Sequence, residues 1–514
     1  MNALTSPRIS RKSGLLVVSG LALMHFLLHV LTNGNYGMFR DEFYYIACSD
    51  HLAWGYVDHP PLSIALLAGS RVVLGESVQA IRLLPALMGS LLVILTGLMT
   101  RELGGGRFAQ IFAALCVMIV PIYLVVTGFF SMNAFDCVFW VLSFSIIIRI
   151  ITTDNEKLWL LFGLAVGLGL LNKISILVFG CSVVAGLLFT PYRRYFRSKY
   201  FWMAGGIALL VFVPHILWQV ANDWPTVEFI SNAKRYKIAP LTPLQFLGGQ
   251  IMGIHPLNAP IWLAGLLFLL FAKKGQPYRI LGLTYAIAFA VLAIQRSKAY
   301  YLSPAYPALL AAGGWAIEAL LHRRGWHWAK PILLGIVLIG GAATAPLVVP
   351  ILPVETFIGY QKFLGVEPSA EETNPLGELP QYFADRFGWE NMTATVASVY
   401  EGLSPEQQAE CVIVTGNYGE AGAIDYFGPR YGLPPAISQH NSYYLWGPGD
   451  VSGNVMISVG ISREDLENAF ESVTEMATIV SPYAMPYENH MPVYLCVGLR
   501  VPLNEAWQRG KHYM

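Results

Sequence analysis

Apolar runs of near-bilayer length recur through the first 350 residues, separated by short polar stretches. They fall near 14–32, 79–99, 108–126, 132–151, 158–171, 174–190, 200–220, 257–272, 279–295, 301–321 and 331–350, and the pattern predicts eleven membrane spans. The run at 158–171 is short, and the turn at 171–174 is tight. The first run is too long for the core of a signal peptide and no small-residue cleavage site follows it, so it reads as a helix.

The pattern changes near residue 351. No later run is long enough to span, and acids become frequent (Glu355, Glu367, Glu371, Glu372, Glu378). Short β-like runs at 411–415, 455–459 and 493–497 alternate with helix-like segments at 419–431 and 463–472. The prediction is a polytopic α-helical membrane domain over 1–350, with external loops 33–78 and 221–256, followed by a soluble α/β domain over 351–514. Cys411 and Cys496 lie inside two predicted strands and read as buried thiols, although an extracytoplasmic compartment would permit a disulfide. The stretch Gly416–Gly422 lacks the spacing of a dinucleotide-binding turn and reads as a strand-to-helix turn.

Composition agrees with a membrane protein. Charged residues make up 13% of the 514, against about 25% in a typical soluble domain. Such a chain is neither a disordered scaffold, a collagen nor a disulfide-stapled peptide. A formal net charge of +1 gives no reason to expect nucleic acid, and the six cysteines show no CxxC spacing.

The distribution of charge predicts orientation. Arg8, Arg11 and Lys12 precede the first run, and alternate loops carry Arg101 and Arg107, Lys157, Arg193 to Lys199, Lys273 to Arg279, and Arg323 to Lys330. Short basic loops stay in the cytoplasm, which places loops 33–78 and 221–256 and the C-terminus outside.

Four groups of residues could carry chemistry. In Phe39-Arg-Asp-Glu-Phe-Tyr-Tyr45 and Gly55-Tyr-Val-Asp-His-Pro-Pro-Leu62, the polar Asp41, Glu42, Asp58 and His59 are embedded among aromatics, on segments 40–52 and 61–74 that read as amphipathic helices on the membrane face. A carboxylate there could take a proton or hold a metal. Asp136 lies in the first turns of the fourth run, and an acid inside a membrane helix is a functional candidate by default, with an N-cap as the plain alternative. Arg82, Lys173 and Lys298 are cations on the external side, where positive charge is disfavoured. They suit an anionic lipid phosphate, with snorkelling as the alternative. Tyr301 stands beside Lys298 at the same boundary. His255 precedes the eighth run and could join Asp58 in a divalent-metal site, or be a hydrogen-bonded structural residue.

In this order, these marks resemble the GT-C glycosyltransferases of the protein-mannosyltransferase-like group (glycosyltransferase family 39-like), which includes relatives of the lipid A aminoarabinose transferases. The resemblance is carried by Arg40-Asp41-Glu42, Asp58-His-Pro-Pro-Leu62, Ile81-Arg-Leu-Leu-Pro85, Asp136, Leu171-Asn-Lys173 and Lys298-Ala-Tyr-Tyr-Leu-Ser-Pro304, over residues 14–321. It implies a GT-C-like fold, a polyprenyl-phosphate-linked donor, inverting transfer and a site on the non-cytoplasmic face. By the same resemblance Asp41 matches the acid that activates the acceptor, with Glu42 beside it, and Asp136 matches the second acid. His59 stands where those relatives carry Lys, in a Glu-Lys-Pro-Pro motif in which Asp58 replaces Glu.

The implied location is a bacterial inner membrane with the C-terminal domain on the periplasmic side. The expected partners are the lipid-linked sugar donor, membrane lipids, and a lipid, glycan or protein acceptor. A divalent metal is the only cofactor the residues suggest. The rival readings are a lipid or small-molecule transporter, and a binding or assembly protein acting through its outer domain. A transporter would place polar or broken helices at the midplane and show internal repeats, and neither is evident.

Overall fold

The computed structural model describes residues 14–369 and 372–514. Arg8, Arg11, Lys12 and Glu371 lie outside the described residues. The chain forms two compact units.

The first unit comprises 14–33, 79–216 and 240–352 and is helical. Among the described residues six helices are long and apolar enough to cross a bilayer: Leu15–Thr32, Val78–Leu103, Met132–Thr153, Lys199–Ala221, Gln276–Ile294 and Ala329–Val348. Counting two bent pairs as single spans, Ile176–Leu188 with Pro191–Arg197 and Pro243–Gly253 with Pro256–Phe271, raises the number to eight. The protein is an integral membrane protein. Three of the eleven expected runs fall short of this criterion, for local reasons. The 108–126 run is split into Arg107–Met118 and Pro121–Val126, because Pro121 has no N–H to continue the first helix. The 158–171 run forms only the short helix Leu158–Asn172. The 301–321 run begins as a 3₁₀ turn through Pro304 before the helix Tyr306–Arg324.

Tyr306–Arg324 sits centrally, packed on Ala259–Phe271, Arg107–Met118 and Leu83–Leu103. Its approach to Ala259–Phe271 requires glycine on both sides. A Cβ on Gly265 would stand 2.0 Å from the Leu309 carbonyl oxygen, and one on Gly313 would stand 2.1 Å from that of Ile261. Small residues let helix backbones meet where apolar burial gives no preference between lipid and protein.

The second unit comprises Gly34–Val78, Leu217–Ala239 and the described part of Pro353–Met514. Its sheet has the order β2-β1-β3-β5-β4. Strands β1 (Cys411–Thr415), β2 (Ala436–Ser438) and β3 (Val455–Val459) run parallel, and β5 (Met491–Leu499) is antiparallel to β3 and to β4 (Phe470–Ile479). The runs expected at 411–415, 455–459 and 493–497 are all strands. The segment expected to be helical over 463–472 stops at Ala469, where β4 begins. β4 is an edge strand with mostly exposed polar side chains, so it lacks a buried apolar face to announce it. The 416–422 stretch is the strand-to-helix turn into Tyr418–Phe427. Cys411 and Cys496 are buried free thiols on β1 and β5, with β3 between them.

The helices expected near 40–52 and 61–74 are Arg40–Asp50 and Leu62–Leu74. The first is not a surface helix. Phe43, Tyr44, Tyr45, Ile46 and Cys48 are all buried, because the helix packs on Tyr418–Phe427 within this unit. Leu62–Leu74 exposes Val72 and Val73 almost fully.

Candidate functional site

In the membrane unit the site forms around Asp136. Its helix starts at Ser131, whose hydroxyl caps it by accepting the Asn133 N–H at 3.3 Å. Asp136 is therefore not the cap, and it lies one turn further in, 1% exposed. The Ser175 hydroxyl donates to its Oδ2 at 2.9 Å. The Lys173 ammonium stands 3.9 Å from the same oxygen and donates to Asn133 Oδ1 at 2.7 Å. Lys173 comes from the break after Leu158–Asn172, where Asn172 anchors the chain by donating to the Met132 carbonyl at 2.9 Å. The ammonium faces the rings of Tyr300 and Tyr301, at 5.4 and 4.9 Å from their centroids. Asn133, Asp136, Lys173, Tyr300 and Ser303 line a small cavity. Lys298 begins the 3₁₀ turn that carries both tyrosines, and its charge repels that of Lys173.

Arg82 has a different setting. It is fully buried, opens the helix Leu83–Leu103, and donates to the Asn33 carbonyl at 2.5 Å, at the end of the first span. Carbonyls at a helix C-terminus carry partial negative charge that a guanidinium satisfies. Arg82 thus clamps two helix ends. His255 also has its ring nitrogens engaged: Nδ1 accepts the Leu257 N–H at 3.1 Å, and Nε2 faces the Thr344 hydroxyl at 3.2 Å. Among the described residues no three His, Cys, Asp or Glu side chains are arranged to hold a metal.

The second unit holds the remaining sequence candidates. Asp41 Oδ1 accepts the Tyr418 hydroxyl at 2.9 Å and lies 3.6 Å from Arg40 Nε. Both contacts fall on one oxygen, and the side chain keeps 30% of its surface exposed, so a proton can reach it. Burial, reinforced by the Asp41 charge, pushes the pKa of Tyr418 well up and keeps it a donor. The Tyr418 ring stacks on Tyr44 at 4.6 Å, and the Tyr44 hydroxyl donates to Asp58 Oδ1 at 2.7 Å. The Asp58 carboxylate lies 3.9 Å from Nε2 of the fully buried His59, whose Nδ1 faces the Pro60 carbonyl at 3.0 Å. A tyrosine pair thus links the Asp41 and Asp58 carboxylates. Glu42 is fully buried and accepts the Phe39 N–H at 2.8 Å, as the third helical residue reaching back to the cap position. Its structural duty distinguishes it from its neighbour Asp41.

Sequence reasoning missed most of the surroundings of Arg40. Its main-chain N–H donates to the Asp385 carbonyl at 2.9 Å, and its guanidinium donates to the Tyr487 hydroxyl at 2.6 Å. Asp385 and Glu372 each stand 3.9 Å from the guanidinium. Burial raises the pKa of Asp385 and, more strongly, that of Glu488 beside it. These groups lie more than 300 positions along the chain from Arg40, with no spacing to relate them. A cavity of about 670 Å³ opens elsewhere in this unit among Val414, Met456, Phe470, Leu499 and Trp507, and none of the candidate residues lines it.

Comparison with known proteins decides the fold. The profile of the dolichyl-phosphate-mannose-protein mannosyltransferase family matches residues 58–218. Two crystal structures of ArnT from Cupriavidus metallidurans, one apo and one bound to undecaprenyl phosphate, each superpose with a TM-score of 0.62 at 15% identity, covering 93% of this chain and 97% of ArnT. The chain has a GT-C fold. The apo oligosaccharyltransferase of Archaeoglobus fulgidus shares it, with a TM-score of 0.51 at 14% identity over 83% of this chain and 64% of that one. No curated protein matches this GT-C chain by sequence.

Proposed function

We propose that this protein is an inverting glycosyltransferase that moves a sugar from a polyprenyl-phosphate donor to an acceptor on the non-cytoplasmic face of the membrane. The observation that carries the reading is the pair of like charges, Lys173 and Lys298, gathered with Tyr300 and Tyr301 beside a buried acid in a membrane unit. Asp136 offsets part of this positive charge, and at the edge of apolar helices a lipid phosphate would supply a further anion to it. The ArnT structure with bound undecaprenyl phosphate supports the same ligand class.

Departure of the polyprenyl phosphate leaves negative charge on the phosphate oxygen, which Lys173 and Lys298 stabilise. Asp136 orients Lys173 and holds it against loss of its proton. The acceptor attacks the anomeric carbon while Asp41 takes the proton it gives up. One displacement inverts that carbon, and no covalent sugar–enzyme intermediate is needed. Asp58, held by Tyr44 and backed by the buried His59, contacts the sugar or acceptor. In this reading the chain crosses the membrane eleven times with its N-terminus inside, and residues 351–514 lie outside, on the periplasmic side of a bacterial inner membrane.

The test is direct. Purified protein in lipid receives a synthetic polyprenyl-phosphate sugar and an envelope extract, and mass spectrometry follows donor and products. Free polyprenyl phosphate and a glycosylated acceptor should appear together. An intact donor with every acceptor fraction would leave the transporter reading in its place. Mass spectrometry of envelope lipids and glycans from a deletion strain would then name the sugar and the acceptor.

A further inference from the structure

Arg40 is a cation shared among three carboxylates, and it closes on none of them. Its Nε stands 3.6 Å from Asp41, one Nη stands 3.9 Å from Asp385, and the other stands 3.9 Å from Glu372. A relaxed guanidinium–carboxylate pair closes to about 2.7–2.9 Å, often with two parallel bonds. Among the described residues Nε has no hydrogen-bond partner. The guanidinium's terminal nitrogens meet the Tyr487 hydroxyl at 2.6 Å, Asp385, and Glu372, whose charge is divided with Lys237 at 3.5 Å.

Asp385 is the unusual member of this set. Its side chain is 1% exposed, and neither carboxylate oxygen has a hydrogen-bond partner among the described residues. A buried carboxylate so poorly hydrogen-bonded is costly, and its main compensation here is the Arg40 charge, with the Gln381 side chain adding less.

We propose that Asp385 is a positioning residue for the base: it draws the Arg40 guanidinium away from Asp41 and keeps that carboxylate open to a proton. The inference rests on the reading of Asp41 as the base. With Asp385 neutral, Arg40 is left to Asp41 and Glu372, and Glu372 already serves Lys237. Arg40 then closes on Asp41, its nearest carboxylate. A carboxylate locked to a guanidinium takes up a proton less readily.

Acid does what the substitution does. The Asp385 pKa is pushed up to about 6, chiefly by burial against the opposing pull of Arg40, with Asp41 and Glu372 adding to the rise. The other titratable groups facing it are Tyr487 and Glu488, and burial raises the pKa of Glu488 well above the ordinary carboxylate range. As pH falls through about 6, Asp385 loses its charge and its hold on Arg40.

The test compares Asp385→Asn with wild type in the transfer assay across pH. At pH 7.5 the variant's kcat should fall about 10- to 100-fold, the scale of a misplaced catalytic group. The KM for the donor should stay unchanged, since Lys173 and Lys298 bind it. The wild-type decline in kcat near pH 6 should vanish from the variant. In a double-mutant cycle, Arg40→Gln/Asp385→Asn should be no slower than Arg40→Gln alone. Asp385→Glu keeps the charge and should retain most activity, and it serves if the Asn variant does not fold. Unchanged kcat in Asp385→Asn, additive losses in the cycle, or a lowered rate with an unaltered pH profile would each overturn the proposal. Asp41→Asn is run alongside. If it stays active, the base assignment itself is wrong. If it is dead while Asp385→Asn is silent, only this inference falls.

Discussion

Lys173 and Asp136 stand 3.9 Å apart, too far for a hydrogen bond and close enough for charge to act. Among the described residues the ammonium's one short polar contact is the neutral Asn133 amide oxygen, at 2.7 Å. Its charge is steadied by Asp136 without being consumed by it, which suits a cation that must still receive a ligand. Lys173→Ala and Lys298→Ala should each weaken binding of a polyprenyl phosphate by about tenfold and leave binding of the neutral polyprenol nearly unchanged. The measurement is a competition between the two lipids for purified protein. An equal loss for both would make these lysines interfacial anchors and move the phosphate site elsewhere.

Asp41→Asn should abolish transfer while the protein still inserts and folds. Removing a general base costs about 10²- to 10⁴-fold. Donor affinity should persist, because the lipid phosphate does not touch this side chain in the proposed mechanism. Asp136→Asn should also stop turnover, and with it should come a loss of donor affinity, since Lys173 loses its countercharge. Steady-state rates and lipid binding on the two purified variants separate these outcomes. Near-normal turnover in Asp41→Asn would remove the mechanism.

Arg82 is expected to behave unlike the two lysines. Its loss strips a partner from the Asn33 carbonyl inside the helix packing, so Arg82→Ala should lower stability by about 1–3 kcal/mol. The donor preference of whatever folds should be unchanged. Thermal unfolding together with the lipid competition checks this, and a stable variant with a selective loss of phosphorylated lipid would restore Arg82 to the phosphate site.

Gly422 is the tight point of the second unit. A Cβ there would stand 2.8 Å from the Phe43 backbone carbon, which cannot move aside as a side-chain tip could. Gly422→Ala should cost about 1–3 kcal/mol, the usual scale of overpacking, and should lower activity by shifting the helix that carries Asp41. Unfolding midpoint and specific activity should fall together. An unperturbed variant would show that the two helices pack more loosely than described.

How much of this was legible in the sequence follows from what each feature depends on. The apolar runs were readable because a membrane helix must satisfy its own backbone and cover itself with apolar side chains. Strands β1 and β3 were readable as short buried runs with turns after them. β4 was not, since an edge strand with exposed glutamates and threonines has no apolar face to mark it. Asp41 and Asp136 stood out because acids beside aromatics and inside spans are costly. Glu42 stood out for the same reason and Arg82 as a cation on the disfavoured side, and only the structure shows them at helix ends. Asp385, Tyr418 and Tyr487 were invisible as partners of residues 40–44, because their significance lies in contacts spanning more than 300 positions.

That same reach sets the timetable of biosynthesis. The helix Arg40–Asp50 is made early, yet the helix that covers its aromatic face, Tyr418–Phe427, follows more than 360 residues later. At about 5–20 residues per second, translation leaves Phe43, Tyr44 and Tyr45 without their packing partners for roughly 20–75 s. Through that interval the first loop is an adhesive apolar segment that needs a chaperone, the membrane surface or the translocation machinery to shelter it. A truncation that spares every span but removes residues 353–514 would make the exposure permanent. Such a fragment should be cleared by quality control rather than persist as a partly active core.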